Sequence, residues 1–313
     1  WSSDVCSSDL VARSQKKVDY LGALLLAVLL GSVVLIPNVA GSFGWGGGQT
    51  LGLVLGVVLA LIGFVLTERR AEEPILPLSL FRNNTFLVVN VVGFLVGMGM
   101  FGTITFLPLF LQMVKEVSPT VSGLFLVPMM GGLILSSMVA GRIMSATGRY
   151  KLMPTLSTGV LALALLAMSR LDAGSALWVI GAVMVMVGLG LGPVFAVGVA
   201  AIQNAVPPTM MGVGTASTNM FRLIGGSFGT AVFGAMFSAG LMRNLADTLP
   251  GEVSGGIGAL GASMVHALPA ETQARVLDGF SDALHPIFWA AAVAALVACV
   301  ASMLLREEPL AEA

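Results

Sequence analysis

Eight apolar runs, none containing an Asp or a Glu, constrain this chain of 313 residues more than any other feature. They lie at about Tyr20–Ala40, Thr50–Leu66, Thr85–Met113, Pro119–Ala140, Leu152–Ser169, Ala176–Ile202, Gly214–Leu241 and Pro286–Leu305. A helix that spans a bilayer needs about 20 mainly apolar residues, and these runs supply such stretches in series. The third is long enough to tilt, with Pro108 placed to bend it near one end, and the second is the shortest. Charged residues make up only 10% of the chain and hydrophobic ones 57%, whereas a soluble domain is about 25% charged. A globular core cannot hide that much apolar surface, so lipid must be the solvent for much of it. The expected fold class is an all-α polytopic membrane protein with eight transmembrane helices.

Sidedness comes from the charges. Residues 141–153, reading GRIMSATGRYKLM, form a short basic turn between the fourth and fifth runs. Gly141 and Gly148 permit tight backbone geometry there. Arg142, Arg149 and Lys151 bring three positive charges with no acid among them. Lys and Arg resist translocation, so such a turn stays in the cytosol. It is either a topology anchor or a conformational element. With the N-terminal segment also inside, Arg13, Lys16, Lys17, Arg69, Arg70, Arg82, Arg142, Arg149, Lys151 and Arg306 fall on inner segments. Only Lys115, Arg170, Arg243 and Arg275 fall outside, a ratio of 10 to 4 that the reversed orientation would invert. The expected location is the cell inner (plasma) membrane, multi-pass, with the C-terminus in the cytosol.

Four segments are distinguished along the chain. Residues 1–10 (WSSDVCSSDL) are polar, Ser-rich and without an initiating Met, and read as a non-native scar set aside from the fold. The chain is accordingly expected to begin in the middle of a longer protein. Residues 11–67 hold two connecting transmembrane helices. Residues 68–84 read as a cytoplasmic linker, where Glu68, Glu72 and Glu73 mix with arginines and Pro74 and Pro77 break the helix. Residues 85–313 then form a six-helix unit. The turn Gly41–Gln49 carries five glycines around Trp45, which reads as an interfacial anchor. In the longest connection, ETQARVLDGFSDAL (271–284) puts Val276, Leu277, Phe280 and Leu284 on one helical face, as an interfacial helix leading into the last span would.

Arg222 is the one formal charge well inside a run, about 12 Å along from Gly214. A charge at that depth costs on the order of 2.5–3.5 kcal/mol on insertion scales. It must face a cavity or the bundle interior, or else snorkel or pair with helix-end carbonyls. Asn219 stands at i−3 on the same face, and Thr215, Ser217 and Thr218 extend the polar set. Polar groups in hydrocarbon need partners, so the cluster implies a wet or hydrogen-bonded stripe. In the third run Asn90, Thr103 and Thr105 are the main polar residues. Thr hydroxyls bond back to their own helix, whereas the Asn90 amide wants a partner helix. Arg222, Asn219 and Asn90 are the substrate or cavity candidates.

Gly52–Gly56, Gly93–Gly97, Gly188–Gly192 and Gly225–Gly229 have the GxxxG spacing that lets helices approach closely. Gly188-Leu-Gly-Leu-Gly-Pro193 is similar to a fragment of a dinucleotide loop, but inside an apolar run it reads as a thin, flexible helix section. The 18 methionines, some close to Phe as at Met98, Met100, Phe101 and Phe106, would make an adaptable apolar lining. Cys6 and Cys299 lie at opposite ends, so neither a disulfide framework nor a cysteine metal site is expected. His266 and His285 are isolated and read as ordinary surface residues. No Ser/His/Asp set, HExxH or paired membrane carboxylate is present, so no catalytic residue, metal or cofactor is expected. A net charge of −1 and the lack of a basic face exclude nucleic acid as a partner.

At this point several stretches agree with one family. GRIMSATGRYKLM (141–153) resembles the second copy of the Gly-x-x-x-Asp-x-x-Gly-Arg-[Arg/Lys] loop of the major facilitator superfamily. FLPLFLQMVKEVSPTVSGLFLVP (106–128), NAVPPTMMGVGTASTNMFRLIGGSFGTAVFG (204–234) and LREEPL (305–310) look like its fourteen-helix drug:proton antiporter branch. Gly141, Gly148 and Arg149 fit the loop pattern, Arg142 falls at a free position, and Lys151 lies one place beyond its end. Ser145 stands where the pattern has Asp, which leaves contacts between cations and helix ends in place of a charge pair. The resemblance implies that the last six helices form the C-terminal half of the fold, as two inverted three-helix repeats. It also implies proton-coupled efflux of drug-like, lipophilic or cationic compounds by alternating access. The partners implied are the lipid bilayer, a missing N-terminal six-helix half that carries the proton-handling acids, a small-molecule substrate and protons. Two other classes stay open: a half-transporter fragment with no turnover of its own, and an integral membrane enzyme acting on lipids.

Overall fold

The structure is a computed structural model that describes residues 19–44, 46–71, 75–245 and 270–306. Residues 1–10, read above as a scar, Trp45, read as an anchor, Cys6, His266 and the end of the LREEPL stretch lie outside the described residues. Every regular element among the described residues is helical. In chain order they are α1 (Tyr20–Phe43), α2 (Gly48–Glu68), a 3-10 turn (Leu78–Arg82), α3 (Asn84–Met113), α4 (Pro119–Leu124) and α5 (Leu126–Thr147). After these come α6 (Leu152–Met168), α7 (Leu177–Ala205), a second 3-10 turn (Pro208–Met210), α8 (Met211–Leu245) and α9 (Ala270–Met303). Six helical segments are long and apolar enough to cross a membrane, and Tyr20–Ile36 and Leu152–Met168 are shorter apolar helices. The eight expected runs are therefore all helical, and the chain is a multi-pass membrane protein.

Local chemistry sets the ends. Asp19 caps α1, its Oδ1 accepting the Gly22 N–H at 2.8 Å. Asn83 caps α3 through the Phe86 N–H at 3.2 Å, and its amide also donates to the Ala205 carbonyl at 3.0 Å, tying the start of α3 to the end of α7. Val206, the residue before Pro207, is extended (φ −110°, ψ 150°), as a residue preceding proline must be, and α7 stops there. The fourth run is divided: α4 begins at Pro119, capped by Ser118, and gives way to α5 at Phe125.

Two expectations need correction. The basic segment is not a turn from Gly141 onward, because α5 continues through Gly141, Arg142 and Ser145 to Thr147. Nothing in GRIMSAT stops a helix; Gly148 does, in the left-handed region at φ 66°. Nor is 271–284 a separate interfacial helix. α9 is continuous from Ala270 through Pro286. Its apolar face is taken up by protein rather than lipid, with Val276, Phe280 and Leu284 at most 1% exposed. Phe237 of α8 lies between Phe106 of α3 and Phe280 of α9, with ring centroids at 6.0 and 5.7 Å.

Lipid tails are as apolar as Leu, so helices in a bilayer associate through close packing of small residues. Three of the four GxxxG pairs serve this. A Cβ at Gly97 of α3 would collide with the Arg222 carbonyl of α8, and one at Gly225 or Gly229 would strike Phe94 or Met98 of α3. A Cβ at Gly188 or Gly192 of α7 would collide with Met129, Leu133 or Ser136 of α5. Gly52 and Gly56 have nothing within 4 Å of such an atom, so that pair makes no close approach. The contacts Gly97–Arg222, Gly102–Phe233 and Phe106–Phe237 advance together along both chains, so α3 and α8 run parallel. By the same reasoning α5 and α7 are parallel. α6 packs on α7 and α9, α9 on α3, and the α1–α2 hairpin on α8 through α1. The centre belongs to α3, whose most apolar stretch is 61% buried; the corresponding figure is 17% for both α2 and α4–α5.

Candidate functional site

The polar set from Thr215 to Arg222 lies near the start of α8, where the chain restarts after the two prolines. Two of its hydroxyls bond within the helix. Ser217 Oγ donates to the Val213 carbonyl at 2.7 Å and Thr218 Oγ1 to the Gly214 carbonyl at 3.1 Å. These two hydroxyls are met by their own helix, which leaves Thr215, Asn219 and Arg222 of the expected wet stripe. The i, i+3 spacing brings Asn219 and Arg222 together, with Arg222 Nη2 donating to Asn219 Oδ1. The guanidinium also lies over the ring of Phe195 on α7, with Cζ 4.2 Å from the centroid. Because the Arg222 backbone is pressed against Gly97, its position in depth is fixed by the α3–α8 contact. The charge is half-buried, held by an amide oxygen and an aromatic face.

Asn219 lines an open groove between α1 and α8. Leu30, Gly31, Val34 and Leu35 line one wall; Met220, Leu223, Ile224 and Ser227 share the other with Asn219. The lining is almost wholly apolar, with the amide and one hydroxyl as its polar points. Such a site accepts a lipophilic body and offers it few directional bonds.

Asn90 is not part of this pair by any bond among the described residues. It is buried on α3, and its amide donates to its own helix at the Phe86 carbonyl, 2.8 Å away, rather than to a partner helix. Its Oδ1 is buried with no hydrogen-bond partner. Thr103 likewise returns to the Gly99 carbonyl at 2.9 Å.

The basic segment lies at the end of α5 remote from α4 and its Pro119 start. Arg142, Ser145 and Arg149 are exposed, and Lys151 is half-buried. The Gly148 N–H donates to the Met144 carbonyl at 2.9 Å, and Thr147 Oγ1 accepts the Arg149 N–H at 3.3 Å while donating to the Ile143 carbonyl at 2.7 Å. Tyr150, 1% exposed, plugs the turn into the core. The cations thus gather at the C-terminus of α5, where the helix dipole favours them.

Sequence reasoning missed three residues with definite partners. Phe195 carried no signal, because its relation to Arg222 crosses from α7 to α8. His285 is no plain surface residue: its Nε2 donates to the Leu171 carbonyl at 2.7 Å. Lys115, at the end of α3, donates to the Ala173 and Ser175 carbonyls of the same α6–α7 turn.

The chain matches the family model described as Major Facilitator Superfamily over residues 8–230. It is 35% identical over 304 residues to an uncharacterized MFS-type transporter of Mycobacterium tuberculosis (strain ATCC 25618 / H37Rv), covering 96% of this chain but 44% of that protein. The chain therefore spans less than half the length of that relative. It is 34% identical over 319 residues to a tetracycline resistance determinant of Streptomyces rimosus, covering 93% of this chain and 92% of that protein. Among solved structures, a bacterial homolog to the human lysosomal transporter Spinster, inward-facing and unoccupied, superposes with a TM-score of 0.59 at 17% identity. That superposition takes in 90% of this chain and 67% of the other and speaks to the fold alone.

Proposed function

The chain belongs to the major facilitator superfamily, and from that premise we propose that it is part of a secondary transporter that exports drug-like, lipophilic compounds in exchange for protons. The observation that carries this reading is the Asn219–Arg222–Phe195 cluster, a charge at depth beside a large apolar crevice. In this reading Arg222 braces α7 against α8 and borders the substrate path. The apolar wall takes up neutral or cationic lipophilic bodies. The name of the Streptomyces relative, a tetracycline resistance determinant, supports a drug-like substrate. A transporter, rather than an enzyme acting on lipids, accounts for a crevice with so few polar points.

The packing supports two three-helix repeats, α3–α5–α6 and α7–α8–α9. Exchanging the repeats turns the α3–α8 contact into α7–α5, and the α6–α7 contact into α9–α3; all four are present. The glycine contacts follow the same exchange, Gly97 with Gly225 and Gly229 in one pair, Gly132 with Gly188 and Gly192 in the other. A six-helix half of this kind works against an N-terminal half, which the longer Mycobacterium relative has room for. We place the chain in the plasma membrane with the Arg142–Lys151 segment and the C-terminus in the cytosol, as the 10-to-4 charge ratio favours.

The test is export of a fluorescent lipophilic cation from drug-sensitive cells expressing the longest open reading frame that includes this chain. Expected is low dye accumulation that rises when a protonophore is added and rises equally in Arg222→Ala at unchanged protein level. Dye exclusion that ignores the protonophore would refute proton coupling.

A further inference from the structure

The Asn219–Arg222–Phe195 cluster has a polarity that the reading above does not use. A guanidinium has five N–H donors and no acceptor. Among the described residues Arg222 spends one of them, on Asn219 Oδ1, and pairs with no carboxylate. The helices around it supply none, because α1, α3, α7 and α8 contain no Asp or Glu. With Oδ1 engaged, the Asn219 side chain has only its amide N–H groups left to offer. This corner therefore presents donors alone, beside a groove lined by apolar side chains and the Ser227 hydroxyl. The guanidinium is held in place, over the Phe195 ring and on a backbone pressed against Gly97.

Unspent donors on a fixed cation call for an oxyanion, and a planar guanidinium takes a carboxylate through two parallel bonds. Apolar walls hold a lipophilic body whatever its charge; a corner of donors chooses among charges. We propose that the cluster is a binding site for lipophilic anions, with the body in the α1–α8 groove and a carboxylate or similar oxyanion on Arg222 and Asn219. Asn219 touches both Arg222 and the groove, so it sets the anionic end at the groove's edge. Depth excludes a lipid headgroup as the source of the anion. Arg222 lies about 12 Å along from the start of its apolar run, inside hydrocarbon that a lipid phosphate does not enter. Such a site presupposes that Arg222 borders the substrate path, as proposed above, and adds a substrate class to it.

The experiment is equilibrium binding of tritiated pyrenebutyrate and pyrenebutyramide, one body with and without the charge, to protein expressed from the longest open reading frame that includes this chain. The purified protein is held in phosphatidylcholine nanodiscs, with the signal of protein-free nanodiscs subtracted and no gradient applied. Binding is then read whether or not export is coupled to protons, so failure here leaves the export test standing, and the reverse. Expected is carboxylate binding about tenfold tighter than amide binding. Arg222→Gln should bring the carboxylate down to the amide and leave the amide unchanged. Arg222→Lys should keep part of the preference, and Asn219→Ala should reduce it; size-exclusion profiles confirm that each variant folds. Equal affinity for the two probes in wild type, or a preference that survives Arg222→Gln, overturns the proposal. So does loss of both probes together in Arg222→Gln, which would assign Arg222 to the fold. Tighter binding of pyrenebutylamine, the matched cation, would set an acid of the longer protein against Arg222 and overturn it too.

Discussion

Arg222 on α8 lays its guanidinium over the ring of Phe195 on α7, Cζ standing 4.2 Å from the centroid. A cation–π contact is worth about 0.5–1 kcal/mol when exposed and about 2 when desolvated. This one is half-buried, so a coupling of about 1 kcal/mol is expected between Arg222→Gln and Phe195→Leu. A double-mutant cycle on unfolding midpoints in detergent measures it. Additive effects would mean that the stacking holds nothing together. Arg222→Lys should keep only part of that coupling, because an ammonium is drawn to the ring face but does not stack as a planar guanidinium does.

Gly188 and Gly52 share the same sequence spacing but not the same surroundings. A Cβ at Gly188 would run into the Met129 carbonyl of α5, which is backbone and cannot step aside. At Gly52 nothing lies within 4 Å. Gly188→Ala should therefore destabilise by about 1–3 kcal/mol, the usual cost of overpacking. Gly52→Ala should be neutral or stabilising by up to about 1 kcal/mol, from helix propensity. Thermal unfolding of the two variants side by side decides it, and equal midpoints would count against the α5–α7 contact.

These contrasts indicate what a reader of the sequence alone can and cannot see. The eight helices were legible, since hydrocarbon forces long apolar runs to be helical and charge to gather between them. The Asn219–Arg222 bond was legible too, because i and i+3 share a face in any helix. Phe195 was not, since nothing in GLGLGPVF says which helix will pass over it. GxxxG spacing licenses close approach without naming a partner, which is why Gly52 and Gly56 misled and Gly188 and Gly192 did not. Two glycines flank the basic stretch and either could open a turn, yet of the two only Gly148 adopts a backbone angle that side chains avoid.

Gly148 closes α5 at φ 66°. Gly148→Ala should cost about 1–2 kcal/mol, the penalty of a side chain in the left-handed region. Arg142 and Arg149 are exposed, so replacing both with Gln should barely change stability. If the segment takes part in conformational change, the double variant slows export more than it lowers protein level. Transport rates normalised to protein on immunoblots separate the two, and a proportional loss of both would leave only topology anchoring.

The α6–α7 turn is gripped from two sides, by Lys115 through the Ala173 and Ser175 carbonyls and by His285 through the Leu171 carbonyl. Within it, Ser175 Oγ donates to Asp172 Oδ1 at 2.9 Å and accepts the Asp172 N–H at 3.0 Å. The Ser175 hydroxyl is the leading cause holding the exposed Asp172 carboxyl below the usual carboxylate range, and Lys115 adds to it. A carboxyl depressed in the folded state contributes stability above its unfolded pKa and loses that contribution as pH falls through its folded one. The turn should therefore stay closed through the ordinary aspartate range near about 3.9 and loosen only below it. Ser175→Ala removes the main cause and should move that loosening up toward the ordinary value, whereas Lys115→Met should move it less and loosen the turn at every pH. Amide hydrogen exchange of residues 170–176 as a function of pH reports both. Identical pH profiles in wild type and Ser175→Ala would show that Asp172 is not what closes the turn.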